Sequence, residues 1–224
     1  MLTAGRLAPG SPLLIEPREL PWACLEGMVR VSTTSDLVSQ VTAVKFVVAG
    51  GFGVGKTTFV GAISEVKPLT TEAAMTTASS GIDDASKVSS KTTTTVAMDF
   101  GRITIDKTLI VYLFGTPGQD RFGFMWDDLA EGALGAVVLV DTRRIDDCFV
   151  AVDYFEARNI SFVVGVNYFE GSELYDLDEI REALGLEPDV PVMMCDARTK
   201  DSVKDVLLHL VRHLATQARS SQEA

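Results

Sequence analysis

Followed from the N-terminus, the apolar and polar positions divide the chain into two unequal parts. Up to about residue 38, Pro9, Pro12, Pro17 and Pro21 cut the apolar positions into short fragments, and no helix or strand period is sustained. From about Thr42 the pattern turns regular. The apolar run Ala43 to Val48 predicts a strand, Gly50 to Gly55 a glycine-rich turn, and Thr58 to Ile63 a helical segment. Between Thr70 and Thr95 the regularity stops: 13 of these 26 residues are Ser or Thr. A connection that long inside a compact domain is usually functional or disordered. Thr95–Ile105 and Leu109–Phe114 then read as two β-rich runs joined at Asp106-Lys107, a predicted hairpin. The continuous apolar run Ala133–Asp141 suits a strand buried on both faces of a mostly parallel sheet. Ile145, Cys148, Phe149, Val152 and Phe155 follow at helical spacing, and Ser161–Val166 and Val190–Met194 predict two more buried strands. In the last helix Val203, Val206, Leu207, Leu210, Val211 and Leu214 share one face, and Ser202-Val203-Lys204-Asp205 gives a capping signature at its start.

One antiparallel hairpin among βα units predicts a three-layer α/β fold, its sheet mostly parallel with one antiparallel edge strand. Residues 39–217 form the predicted domain, 1–38 an N-terminal extension and 218–224 a polar tail. For residues 1–27 two readings stand: translation starting at Met28 in place of Met1, or a mobile arm that docks a partner. N-terminal sequencing of the native protein separates them.

The glycine-rich turn carries the chemistry. Gly50-Gly51-Phe52-Gly53-Val54-Gly55-Lys56-Thr57-Thr58 contains the pattern G-x-x-x-x-G-K-[ST] between a strand and a helix, the setting a phosphate loop requires. Glycines let backbone N–H groups turn inward around a polyphosphate with no Cβ in the way, and the helix N-terminus adds a positive dipole end. Lys56 is placed to reach the β- and γ-phosphates, and the Thr57 hydroxyl to bind Mg²⁺.

Composition narrows the partners. The 224 residues carry a net charge of −11 with 46% hydrophobic and 23% charged residues, which argues against a nucleic-acid surface and for a free nucleotide and protein partners. No apolar run approaches the ~18 residues of a membrane span. The N-terminus lacks the pattern of a signal peptide, Leu2 is not the glycine that myristoylation needs, and there is no C-terminal Cys box. Cys24, Cys148 and Cys195 lie far apart, as reduced cytoplasmic thiols do. His209 and His213, four apart, have no third metal ligand evident and read as flanking the buried stripe of the last helix.

With the phosphate loop placed, the later landmarks resemble the Ras-like small GTPases in order and spacing, over about residues 43 to 217. The run Thr95-Val96-Ala97-Met98-Asp99-Phe100 resembles the end of switch I, whose threonine binds Mg²⁺ and the γ-phosphate; Thr95 is the best match, with Thr92 to Thr94 offering neighbouring registers. Gly115-Thr116-Pro117-Gly118-Gln119-Asp120-Arg121-Phe122 resembles the switch II motif D-x-x-G-Q-E-R-F. This resemblance implies that the Gly118 N–H contacts the γ-phosphate and that Gln119 orients the attacking water. Asn167-Tyr168-Phe169-Glu170 stands where N-K-x-D reads guanine, and Cys195-Asp196-Ala197-Arg198 where S-A-K backs it, Ala197 offering a backbone N–H to the base oxygen. More narrowly, the chain looks like the small GTPases of actinobacterial conservon operons, relatives of the bacterial polarity GTPase MglA. That resemblance implies GTP and GDP as ligands, a roadblock-type regulatory protein, a sensor-kinase-like membrane protein and a small accessory protein as partners. It also implies a cytoplasmic location with any membrane recruitment through a partner.

Three departures bear on mechanism. Gly115 stands where most Ras-like proteins have the aspartate that holds Mg²⁺ through water, leaving Asp99 or Asp120 as compensating carboxylates, or Thr57, Thr95 and the phosphates as a sufficient set. Phe52 puts a ring near where an arginine finger would enter, and Arg121 is either a cis charge or a structural arginine of switch II. Tyr168 and Glu170 replace the lysine and aspartate that read guanine. The expected activity is a GTP-binding switch with slow hydrolysis. Its rivals are a P-loop ATPase or kinase and a nucleotide-binding scaffold that does not turn over.

Overall fold

Strand β1 (Thr42–Gly50) runs through the middle of the sheet, and its side chains supply both faces of the core. In this computed structural model, residues 41–67, 69–74, 93–105, 107–118 and 120–223 are described. The order is β1, α1 (Lys56–Ile63), β2 (Leu69–Ala74), β3 (Thr93–Thr104), β4 (Leu109–Gly115), and a 3₁₀ turn (Asp120–Met125) into α2 (Trp126–Ala130). Then come β5 (Gly135–Val140), a second 3₁₀ turn (Thr142–Cys148) into α3 (Phe149–Ala157), β6 (Phe162–Asn167), α4 (Leu177–Ala183), β7 (Val192–Cys195) and α5 (Lys200–Glu223).

The strands form one sheet in the order β2-β3-β4-β1-β5-β6-β7. β3 alone among the described strands runs against the rest, pairing antiparallel with β4 as the hairpin pattern predicted. β2 adds outside it, so the antiparallel strand is covered on its outer side by the beginning of the Ser/Thr-rich stretch. The rest of that stretch and the extension 1–38 lie outside the described residues.

Alternation along β1 splits the core in two. Val44, Phe46 and Val48 face α1 and α5 with Phe59, Val60, Leu113, Leu139, Val203, Leu207 and Leu210. Val47 and Ala49 face the opposite layer, with Trp126, Val138, Val152, Phe155, Val164 and Ile180. The α5 stripe reads as predicted, and each of its buried aliphatic side chains contributes about 1.5–3 kcal/mol. α5 lies so close to the sheet that a Cβ at Gly135 would stand 3.0 Å from Leu210 Cδ1.

Two boundaries differ from the sequence reading. α5 starts at Lys200, and Ser202 lies inside it, its hydroxyl accepting from the Asp196 N–H at 2.8 Å, so Ser202 is no N-cap. The polar residues 218–223 continue the same helix. α4, too short for a clear period, is opened by a capping box between Asp176 and Glu179. Among the described residues, no helix is long and apolar enough to cross a membrane.

Candidate nucleotide site

The phosphate loop takes a shape that only glycines allow. Gly50 has φ +132°, and a Cβ there would lie 2.3 Å from the Leu139 carbonyl oxygen. Gly55 has φ +107°, and a Cβ would meet Asn167 Nδ2 at 2.7 Å. Lys56 opens α1 with only 8% of its surface exposed. Its ammonium donates to the carbonyls of Gly50 and Gly51, both at 2.7 Å. A buried cation is thereby held at the mouth of the loop by neutral acceptors.

Two further segments close on that loop. The turn after β4 passes directly over it: a Cβ on Gly118 would stand 2.6 Å from Lys56 Nζ, 2.9 Å from Phe52 Cα and 3.0 Å from the Gly51 oxygen. The second segment is the middle of β3, where Asp99 pairs in register with Gly115. Its carboxylate fills the space left by the missing side chain, since a Cβ on Gly115 would lie 3.1 Å from Asp99 Oδ2. That same oxygen accepts from the Thr57 hydroxyl at 2.7 Å. Of the two carboxylates weighed as substitutes for the absent aspartate, Asp99 is the one placed beside Thr57; nothing is described of the Asp120 side chain.

Asp99 is 1% exposed, and its other oxygen, Oδ1, is buried without a hydrogen-bond partner. The hydroxyl of Thr116, equally buried, is also unpartnered. Buried polar atoms are nearly always satisfied, so the open Asp99 oxygen beside Thr57 and the phosphate loop fits a bound cation. Carboxylate and hydroxyl oxygens are the hard donors Mg²⁺ prefers. Thr95 is not brought here. It lies four residues back along β3, opposite Glu72 and about 13 Å from Asp99 by the strand rise. Gln119 falls outside the described residues.

Beyond Gly118, a cavity of about 230 Å³ is bounded by Gly51, Pro117, Gly118, Trp126, Val150 and Tyr154.

The far end of the site is built at the C-terminal ends of β5, β6 and β7. Asn167 ends β6 with both ends of its amide engaged: Nδ2 donates to the Val54 oxygen at 2.8 Å, and Oδ1 accepts from the Ala197 N–H at 2.9 Å. Asn167 is thus a brace between the phosphate loop and the β7–α5 turn. The Ala197 N–H, expected to meet a base, is directed at Asn167 instead. Tyr168 is 40% exposed and Glu170 is exposed in the following turn.

Sequence reasoning missed two Asp-x-Arg pairs that flank this turn. After β5, Asp141 Oδ1 accepts from the Arg143 N–H and Nε, and Oδ2 from Nη2 at 2.6 Å. After β7, Asp196 holds Arg198 through the same three donors. These bonds hold the Asp196 carboxyl below the usual carboxylate range and push both guanidinium groups above theirs. Each guanidinium faces an aromatic ring of the turn between them, Arg143 over Phe169 at 3.9 Å and Arg198 over Tyr168 at 5.7 Å. The repeat Asp-x-Arg at two strand ends is visible in the sequence, but its pairing across β6 needs the strand order.

Residues 48–217 match the family described as conserved hypothetical ATP binding protein. The chain belongs to this family. An uncharacterised protein of Methanocaldococcus jannaschii is 28% identical over 172 residues that span 76% of this chain and 96% of the relative. Among solved structures, the G-domain of FeoB from Methanococcus jannaschii superposes with a TM-score of 0.51 at 14% identity, covering 78% of this chain and 99% of that one. The fold of this ATP-binding-protein family member is accordingly GTPase-like, and the chain is a nucleotide-binding P-loop protein.

Proposed function

We propose that the protein is a GTP-binding switch that hydrolyses GTP slowly to GDP and phosphate. The observation that carries this reading is the convergence of two separate segments, Gly118 and Asp99, on Lys56 and Thr57 of one phosphate loop. A γ-phosphate entering there would meet the Gly118 N–H directly and Asp99 through Mg²⁺, and its loss would remove the contact that holds the Gly118 turn. Lys56 would exchange the two loop carbonyls for β- and γ-phosphate oxygens. Thr57 and Asp99 would hold Mg²⁺, Asp99 taking the β3 contribution that the resemblance assigns to Thr95. When bound, Mg²⁺ would neutralise charge on the phosphate oxygens. The Gly118 N–H would contact the γ-phosphate and Gln119 would orient the water. Glu170 would accept from the N1–H and N2–H₂ of guanine. A roadblock-type regulator and a sensor-kinase-like membrane protein remain the partners implied by resemblance.

A second reading, an ATP-binding P-loop protein, is favoured by the family description. Competition between GTP and ATP for the stripped protein separates the two. Turnover is tested by single-turnover hydrolysis with Gln119→Leu as control. The expected wild-type rate is on the order of 10⁻⁴–10⁻³ s⁻¹, as for related switches without an arginine finger. A wild type no faster than Gln119→Leu, even with a roadblock partner present, would leave a scaffold and no switch.

A further inference from the structure

Resting on the guanine reading above, we propose that Arg198, and not the backbone N–H of Ala197, recognises the 6-oxo group of the base and sets the preference for guanine over purines lacking that oxygen. The Ala197 N–H is donated to Asn167 Oδ1 at 2.9 Å, and Ala197 is 1% exposed. Freeing it would leave Asn167 unpaired at one end and loosen the brace that also fixes Val54 of the phosphate loop. A base-reading donor at this place must come from a neighbour.

Arg198 is that neighbour. Its side chain is 60% exposed, yet it is not loose, because Asp196 holds Nε and Nη2 at 2.8 Å each. A guanidinium carries five N–H donors. This grip leaves both Nη1 protons and the second Nη2 proton directed away from Asp196. The fork lies beside the Tyr168 ring, and the Glu170 charge is near enough to act on it. Donor and acceptor thus both border the turn that carries Tyr168. Glu170 matches the two donors of the guanine edge, and Arg198 matches the acceptor at position 6. Adenine, with an amino group there, would set donor against donor.

The arrangement also accounts for the acidic residue at position 196. Without Asp196, a long exposed arginine would lose rotamer entropy on binding. Held by it, the fork is preorganised.

The test compares GDP with 6-thioguanosine 5′-diphosphate, which keeps the N1 and N2 donors that face Glu170 and replaces O6 with a weakly accepting sulfur. Dissociation constants are measured for wild type, Arg198→Ala and Arg198→Lys. Wild type is expected to bind GDP at least tenfold more tightly than the analogue, roughly the worth of a hydrogen bond to a charged group. In Arg198→Ala the two affinities should come within about twofold of each other through loss of GDP binding, and Arg198→Lys should recover part of the ratio. A stacking role alone would weaken both ligands equally and leave the ratio intact. An unchanged ratio in Arg198→Ala, or no discrimination by wild type, overturns the proposal while GDP binding itself stands. No binding of GDP by wild type overturns the guanine reading, and this inference with it.

Discussion

Asp99 joins two segments that are distant in sequence. One of its oxygens takes the Thr57 hydroxyl, and the other is buried with no partner beside the phosphate loop. Substituting Asp99→Asn preserves shape and removes charge, and should cost about 10–100-fold in the Mg²⁺-dependent part of nucleotide affinity, the range for groups that orient or hold a metal. Titration of Mg²⁺ against the GTP-loaded protein checks it; an unchanged Mg²⁺ midpoint would remove Asp99 from the metal site. Asn167 braces the phosphate loop against the β7–α5 turn, and its effect belongs to stability. Asn167→Ala strands the buried Val54 carbonyl and the Ala197 N–H, each costing about 1–3 kcal/mol. The denaturant midpoint of the nucleotide-free protein should fall accordingly, and a variant as stable as wild type would show that the brace is not needed.

At the scale of elements, the phosphate loop was readable because its glycines, lysine and threonine are contiguous, and local order is what sequence records best. The hydrophobic runs of β1, β5 and β6 were equally plain, being buried on both faces. β2 was not: Leu-Thr-Thr-Glu-Ala-Ala has no apolar alternation, and it is held by backbone pairing to β3. Asp99 was legible as a candidate, yet its choice over Asp120 depends on the register that sets it opposite Gly115. The start of α5 was misplaced because Ser202, a good cap residue, serves the turn before the helix from within its first turn.

α5 also carries a pH response. Burial lowers the His213 pKa from the usual 6.5, with Asp189 opposing, and the ring nitrogen Nε2 lies 3.1 Å from the Gln217 amide. A base whose folded pKa is depressed favours the unfolded chain once protonated. Its contribution is therefore complete above pH 6.5 and declines as pH falls from there through the lower folded value. His213→Gln should flatten the acid limb of the melting temperature between pH 7 and 5. An identical limb in the variant would place that response elsewhere.

For the whole molecule, the two core layers meet at β1, and the same strand ends in the phosphate loop. Ligand binding is therefore coupled to global stability. A nucleotide present at 100 times its dissociation constant should raise the unfolding free energy by about 2.7 kcal/mol, read as a thermal shift. The absence of any shift with a ligand shown to bind would mean that the site orders independently of the core.

The most direct test of the central claim is the affinity of the stripped protein for GTP, GDP and ATP, each with and without Mg²⁺. GTP and GDP binding well ahead of ATP, with Mg²⁺ tightening GTP, is the predicted result: guanine read at Glu170, and a metal held by Thr57 and Asp99. Equal or stronger binding of ATP, or guanine binding indifferent to Mg²⁺, would contradict it.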